Sequence, residues 1–105
     1  VRDGYVEPRA YDQVEALTAA ATFARAEGLV PAPETAHAVK STVDEALRCR
    51  ETGEEKTILM LMSGHGFFDM AAYEALLDGG LRPFQPPQNV IDDNLGRLRR
   101  LYPFA

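Results

Sequence analysis

Two prolines divide the first half of this sequence into two helix-like stretches. Pro31 and Pro33 lie in the run LVPAP, and proline removes a backbone donor and fixes φ, so this run is extended or turning. On either side, residues 11–26 and 34–50 carry apolar residues at helical three-and-four spacing. Gly28 follows the first stretch and is the expected left-handed residue that ends it. The sequence therefore predicts two helices joined by a rigid, proline-rich turn.

A short apolar run follows the second predicted helix. Residues 57–62 read TILMLM without alternation, which suits a strand buried on both faces of a parallel sheet. We therefore predict an α/β fold in which helices pack around one short buried strand. One strand is not a sheet, so either Val6 or residues 29–30 supply a second strand, or sequence outside this chain does. The last option predicts an exposed edge and a tendency to dimerise.

The rest of the chain is expected to hold two more helices. Asp69 is a candidate N-cap for a helix that runs to Leu77 and ends at a Gly-Gly pair. Residues 81–105 begin with a proline-rich stretch, which predicts an irregular strap, and continue with the apolar spacing of a terminal amphipathic helix. We expect residues 1–105 to form a single domain.

Composition argues against several classes of partner. The net charge is −5, and a phosphate backbone needs a basic face, so we do not expect nucleic acid as a partner. No apolar run approaches the roughly 20 residues of a membrane span. Cys49 is the only cysteine and cannot form an internal disulfide, which favours a reducing, cytoplasmic setting. The chain starts at Val1 without a signal-peptide pattern, so we expect it to begin partway through a gene product, unless processing removed its first residues.

The sequence SGHG begins at Ser63, where the predicted strand ends and where open α/β folds bind ligands. Gly64 and Gly66 would let the backbone approach a ligand closely. The local pattern leaves four interpretations open: a plain strand-to-helix turn, a phosphate loop, a serine nucleophile with His65 or His37 as its base, and a contact with a cofactor ring. The spacing matches neither the common phosphate-binding fingerprints nor the nucleophile elbow.

Glu34 is the second candidate site residue, directly after a Pro-Ala-Pro turn. A carboxylate at a helix start is favoured by the helix dipole alone, whereas the functional interpretation is a charge held in a site by a rigid turn. A metal could be held by Glu34 with His37 and His65. Their spacing matches no metal-binding motif, so we predict no metal site.

Together, these segments resemble the tryptophan synthase beta chain. Residues 27–38, EGLVPAPETAHA, look like the family stretch in which Glu-Gly, an aliphatic pair and a proline lead to Glu-Ser-Xaa-His-Ala. Further along, the family has an apolar strand ending in Ser-Gly-Xaa-Gly and an Asp, and residues 62–69 read MSGHGFFD. The wording around both motifs is most similar to the second type of beta chain. The resemblance covers about residues 1–80 and fades in the tail.

The resemblance implies the C-terminal part of a fold type II pyridoxal-phosphate (PLP) enzyme. Ser63 matches the serine that hydrogen-bonds the pyridine nitrogen of the cofactor, and Gly64 and Gly66 would let the loop pass close to the ring. Glu34 matches a glutamate near the cofactor and is the implied catalytic residue. His65 stands where ordinary beta chains often carry Arg, so it receives no role.

The resemblance also implies a reaction and partners. The family joins L-serine and indole to give L-tryptophan and water. Its Schiff-base lysine lies upstream, and neither Lys40 nor Lys56 matches that lysine's context, so we expect this chain alone to be inactive and not to bind PLP covalently. Its expected partners are the remainder of the enzyme and further copies in a homo-oligomer. Two alternatives stay open: a piece of another fold type II lyase or dehydratase, and a stand-alone module without catalysis.

Overall fold

The computed structural model describes residue 1 and residues 3–102 of the chain. Four helices dominate this part of the chain. Helix α1 spans Gln13–Glu27, α2 spans Pro33–Thr52, α3 spans Met70–Leu77 and α4 spans Gln88–Leu101. A single 3₁₀ turn, Gly66–Phe68, precedes α3. All four predicted helices are confirmed, and their ends differ from the prediction by no more than two residues.

Local chemistry explains where the first two helices begin and end. Asp12 caps α1 by accepting a hydrogen bond from the Val14 amide at 2.8 Å, and Glu15 reaches back to the Asp12 amide, which completes a capping box. Gly28 ends α1 in the predicted left-handed conformation, with φ of 72°. Helix α2 starts with Pro33 in its first turn, where the missing amide hydrogen has no helical partner to lose.

The core lies where α1 meets α2 and α3. Its buried members are mostly small, so the helices can approach closely: Ala16, Leu17, Ala20, Ala36 and Tyr73. The apolar face predicted for α2 is only partly buried. Ala36 and Val39 are fully buried, whereas the later members of that face, Val43, Ala46 and Leu47, are exposed. The buried core therefore extends along the first half of α2 only.

The predicted buried strand is not confirmed. Residues 57–62 form no strand in the described part of the chain, and Leu59 and Leu61 are 88% and 80% exposed. Neither suggested partner pairs with this run: Val6 is itself exposed, and the one isolated bridge in the described residues joins Pro31 to His65. A strand needs a neighbour for its backbone groups, so without one the run stays extended and solvated. The described chain is helical rather than α/β.

The predicted strap and terminal helix are mostly exposed, although Leu81 at the start of the strap packs against the core. The strap is attached to the start of α1, where the Phe84 amide donates to the Asp12 carboxylate at 2.9 Å. Helix α4 buries none of its residues, although its apolar residues fall on one face. Residues 103–105 of the predicted 81–105 segment lie outside the described residues. Within the described residues, none of the helices is both long and apolar enough to span a bilayer.

The molecule exposes more surface than a compact protein of its size. Its accessible area is 8272 Å², whereas a folded monomer of this mass would have about 5,800 Å². The radius of gyration is 16.4 Å, against about 13 Å for a compact domain of this length. The excess surface includes the exposed apolar residues of the 57–62 run and of α4.

Candidate functional site

The structure brings the two motif segments together. The Gly66 amide donates to the Val30 carbonyl at 2.8 Å, next to the antiparallel bridge between Pro31 and His65. From α3, the buried Tyr73 hydroxyl donates to the Pro31 carbonyl at 2.5 Å. The loop that begins at Ser63 is therefore fastened to the turn before α2. We call residues 63–66 the serine loop and residues 30–33 the proline turn.

Thr35 forms a further link between the serine loop and α2. Its hydroxyl donates to the Ser63 carbonyl and lies 3.1 Å from the Ser63 hydroxyl oxygen. Thr35 is only 1% exposed and is the buried polar residue of the core. A buried hydroxyl must find hydrogen-bond partners, and Ser63 supplies both of them here. The position of Ser63 is thus set from the first turn of α2.

Glu34 precedes Thr35 in the first turn of α2, so it lies one residue from the group that holds Ser63. Its side chain is exposed, and none of the ion pairs or side-chain hydrogen bonds found among the described residues involves it. The carboxylate is held at the helix start, where the amide dipoles favour a negative charge. It is available to a ligand or to another part of a larger protein.

The loop needs glycine at positions 64 and 66 for different physical reasons. Gly64 has φ of 81°, a conformation that L side chains rarely adopt, so it provides the bend of the loop. Gly66 is buried, and a Cβ atom there would lie 2.6 Å from the Pro31 carbonyl oxygen and 2.7 Å from Val30 Cγ1. Gly66 is thus required for the loop to reach the proline turn. Close approach to a cofactor stays a prediction for both glycines.

Neither histidine interacts with Ser63 through a hydrogen bond in the described part of the chain. His65 stacks against Phe67 and Phe68, with ring centroids 4.9 and 5.5 Å apart. His37 lines an open cavity of about 460 Å³ with Arg9 and Ser41, and Ser63 does not line that cavity. Among the described residues, no hydrogen bond joins Ser63 to a histidine, and no three metal-ligating side chains cluster. The geometry supports neither the nucleophile nor the metal interpretation.

A cluster of charges fixes the segment that leads from α2 to the 57–62 run. Glu45 accepts from Arg48 at 2.7 Å and from Lys56 at 3.1 Å, and Arg9 lies 3.4 Å from the same carboxylate. The hydrogen bond from Arg48, reinforced by Lys56, lowers the pKa of Glu45 to about 2. The cluster ties the end of the polar turn at Lys56 back to α2.

Both lysines are engaged in ion pairs. Lys40 Nζ lies 2.6 Å from Asp44, and this hydrogen bond raises the pKa of the lysine. Lys56 is paired with Glu45 and Glu54, and the hydrogen bond to Glu45 is the main cause of its raised pKa. The ion pairs therefore favour the protonated form of both amines.

Comparison with curated proteins places these motifs in a family. The chain is 60% identical over 78 residues to the tryptophan synthase beta chain 2 of Aquifex aeolicus, which covers 74% of this chain and 18% of that protein. It is 53% identical over 79 residues to the tryptophan synthase beta chain 2 of Methanosarcina acetivorans, covering 75% of this chain and 18% of the relative. This chain belongs to the tryptophan synthase beta chain family. No protein-family model matches it.

Some tryptophan synthase beta relatives match this chain over a longer stretch that reaches into the tail. The beta chain 2 of Pyrococcus furiosus is 46% identical over 95 residues, which is 90% of this chain and 21% of that protein. A match of this length must extend past residue 80, into the tail where the sequence analysis expects the resemblance to fade. The chain spans about a fifth of the length of the curated relatives that it matches.

Two residues of this tryptophan synthase beta segment escaped the sequence reasoning. Thr35 occupies the place of the family's serine after the glutamate, and that position was the available signal for its role. Tyr73 lies within the predicted third helix and received no role of its own from the sequence. Its hydroxyl finds the carbonyl of Pro31, 42 residues earlier in the chain, and no local pattern indicates such a contact.

Proposed function

We propose that this chain is part of a PLP-dependent tryptophan synthase beta-like enzyme and supplies the wall of the site that faces the cofactor ring. The complete enzyme would convert L-serine and indole to L-tryptophan and water. The observation that carries the proposal is the fastening of the serine loop to the proline turn, which holds Ser63 close to the helix start that bears Glu34. The curated names of the relatives supply the chemistry.

The described residues fit one wall of such a site. Ser63 offers a neutral hydroxyl, which can hydrogen-bond a ring nitrogen without placing a charge beside it. Glu34 offers a carboxylate on the adjacent helix start, and Gly64 keeps the loop free of a side chain between them. Both Glu34 and Ser63 are exposed, as a wall awaiting the rest of its site would be. When bound in the complete enzyme, PLP would supply the electron-withdrawing ring.

The remaining chemistry is expected to come from other parts of the enzyme. A Schiff-base lysine needs an unprotonated amine, usually obtained by desolvation or a nearby positive charge. Lys40 and Lys56 instead sit beside carboxylates that raise the pKa of each. Neither suits the covalent role, which supports the expectation that this chain alone is inactive. The surface excess supports a partner that covers it, for which we propose the remainder of the beta chain, in a homo-oligomer.

The test uses the full-length protein that carries this segment, isolated from its native cell and sized by intact mass. Ser63→Ala should shift the absorption of bound PLP and lower the rate of tryptophan formation from serine and indole at least tenfold. Ser41→Ala is the matched control on α2, because Ser41 lies away from the serine loop, and it should leave both readouts within twofold.

The outcomes separate the alternatives. A protein that binds PLP, responds to Ser63→Ala and eliminates water from serine but does not use indole would be another fold type II lyase or dehydratase. A native species of 11.6 kDa that ignores PLP would be a stand-alone module. Unchanged spectra and rates in Ser63→Ala would contradict the assigned role of Ser63.

A further inference from the structure

Thr35 has one hydrogen to donate, and the structure shows where it goes. The Thr35 hydroxyl donates to the Ser63 carbonyl, and a carbonyl oxygen can only accept. The second contact, 3.1 Å between the hydroxyl oxygens of Thr35 and Ser63, then needs its hydrogen from Ser63. The side chain of Ser63 therefore donates to Thr35 when no ligand is present.

The burial of Thr35 and its place in α2 stabilise this arrangement. Thr35 is 1% exposed, so water has little access to its hydroxyl, and Ser63 supplies both of its hydrogen-bond partners. As a β-branched residue at an early position of α2, Thr35 has little freedom about χ1. Its one oxygen atom holds both the backbone and the side chain of Ser63. The loop has other anchors at Gly66, but none of them touches the Ser63 hydroxyl.

We propose that Thr35 is a positioning residue that holds the backbone and the side-chain rotamer of Ser63, so that the Ser63 hydroxyl oxygen lies where it can reach the cofactor ring. This inference rests on the proposed function. In the unliganded chain, Thr35 accepts the hydrogen and keeps Ser63 in one rotamer. A ring nitrogen that accepts from Ser63 competes with Thr35 for the same hydrogen, while the bond to the Ser63 carbonyl keeps the loop in place.

The test is a double-mutant cycle in the full-length PLP-loaded protein. Thr35→Val has nearly the shape of threonine and removes both hydrogen bonds, whereas Thr35→Ser keeps the hydroxyl and is the matched control. Ser63→Ala removes the hydroxyl through which Thr35 is proposed to act. The readouts are the dissociation constant for PLP and the pH dependence of the absorption of bound PLP. Circular dichroism shows whether each variant is fully folded.

Thr35→Val should weaken PLP binding about fivefold, the size of one hydrogen bond, because it releases the Ser63 carbonyl that keeps the loop in place. It should also shift the pH dependence of the spectrum. Thr35→Ser should restore both. In a Ser63→Ala background, Thr35→Val should have no further effect on the spectrum, because it acts through Ser63.

Two results would overturn the inference alone: additive effects of Thr35→Val and Ser63→Ala on the spectrum, or a Thr35→Val spectrum equal to that of the unaltered protein while Ser63→Ala shifts it. A partly unfolded Thr35→Val protein is replaced by Thr35→Ala, compared in the same cycle. An unaltered protein that does not bind PLP at all would overturn the proposed function and this inference with it.

Discussion

The α1–α2 pair and the run at residues 57–62 are both rich in apolar side chains, yet only the helix pair buries them. Ala20, Ala36 and Val39 are fully buried, whereas Leu59 and Leu61 are almost fully exposed. The helices satisfy their own backbone groups and need only one another. The extended run needs a neighbouring strand, and the described chain offers none. The comparison shows that the α1–α2 pair buries its apolar residues within the described chain, whereas Leu59 and Leu61 of the 57–62 run are left uncovered there.

The largest expected effect is at a buried leucine. Leu17→Ala should destabilise the chain by about 3 kcal/mol, because it leaves a cavity between α1 and its neighbours. Leu59→Ala, the same change at an exposed site, should alter the free energy of unfolding by less than about 0.5 kcal/mol. Urea denaturation followed by circular dichroism measures both.

The same pair of variants in the full-length protein sharpens the comparison. If the rest of the beta chain covers the 57–62 run, Leu59→Ala should become nearly as destabilising as Leu17→Ala there. Equal small effects of Leu59→Ala in both settings would mean that the run is exposed in the complete protein as well.

A smaller effect is expected where the serine loop meets the proline turn. Gly66→Ala should destabilise by about 2 kcal/mol, because its Cβ would overlap the Pro31 carbonyl oxygen and Val30. Gly96→Ala is the control, since Gly96 lies within α4 and a Cβ atom there would meet only the end of the Arg100 side chain, at 3.8 Å. This variant should stabilise the chain by up to about 1 kcal/mol. Hydrogen exchange at the position-66 amide gives the local readout. Unchanged exchange in Gly66→Ala would contradict the packing described for the loop.

The smallest effect concerns the charges around Glu45. Because the pKa of Glu45 is lowered to about 2, its ion pairs contribute stability that is fully present above its ordinary pKa of 4.5 and is lost as the pH falls toward 2. Glu45→Gln should reduce the dependence of the unfolding midpoint on pH in this window. Glu51→Gln, an exposed change at the end of α2, should retain the full dependence. A Glu45→Gln profile that overlays that of the unaltered chain would contradict the cluster.

The helices of this chain could be predicted from sequence because their signals are local. Asp12 and Gly28 mark the ends of α1 through contacts within one turn, and Pro33 marks the start of α2 in the same way. The strand could not be judged locally, since residues 57–62 become a strand only beside a partner. The apolar pattern predicted burial, which Leu59 and Leu61 do not show in the described chain, and it carries no information on what would cover them.

The candidate site shows the same difference between local signals and contacts that are distant in sequence. Glu34 and Ser63 could be found by their motifs, and the structure brings their segments together, although no contact tests their roles. Thr35 and Tyr73 act through contacts between residues 28 and 42 positions apart. Such contacts depend on how α3 and the serine loop fold back on α2, which spacing along the chain does not encode.

The fastening of the serine loop to the proline turn has a consequence for inheritance. The contacts that align the two motifs are encoded within one stretch of the gene. They join Val30 to Gly66, Pro31 to Tyr73, and Thr35 to Ser63. A recombination event that exchanged this stretch between related genes would carry both motifs together with the contacts that align them. Crossovers inside the stretch would instead have to match Gly66 to a new turn, so the two motifs are expected to descend as one unit.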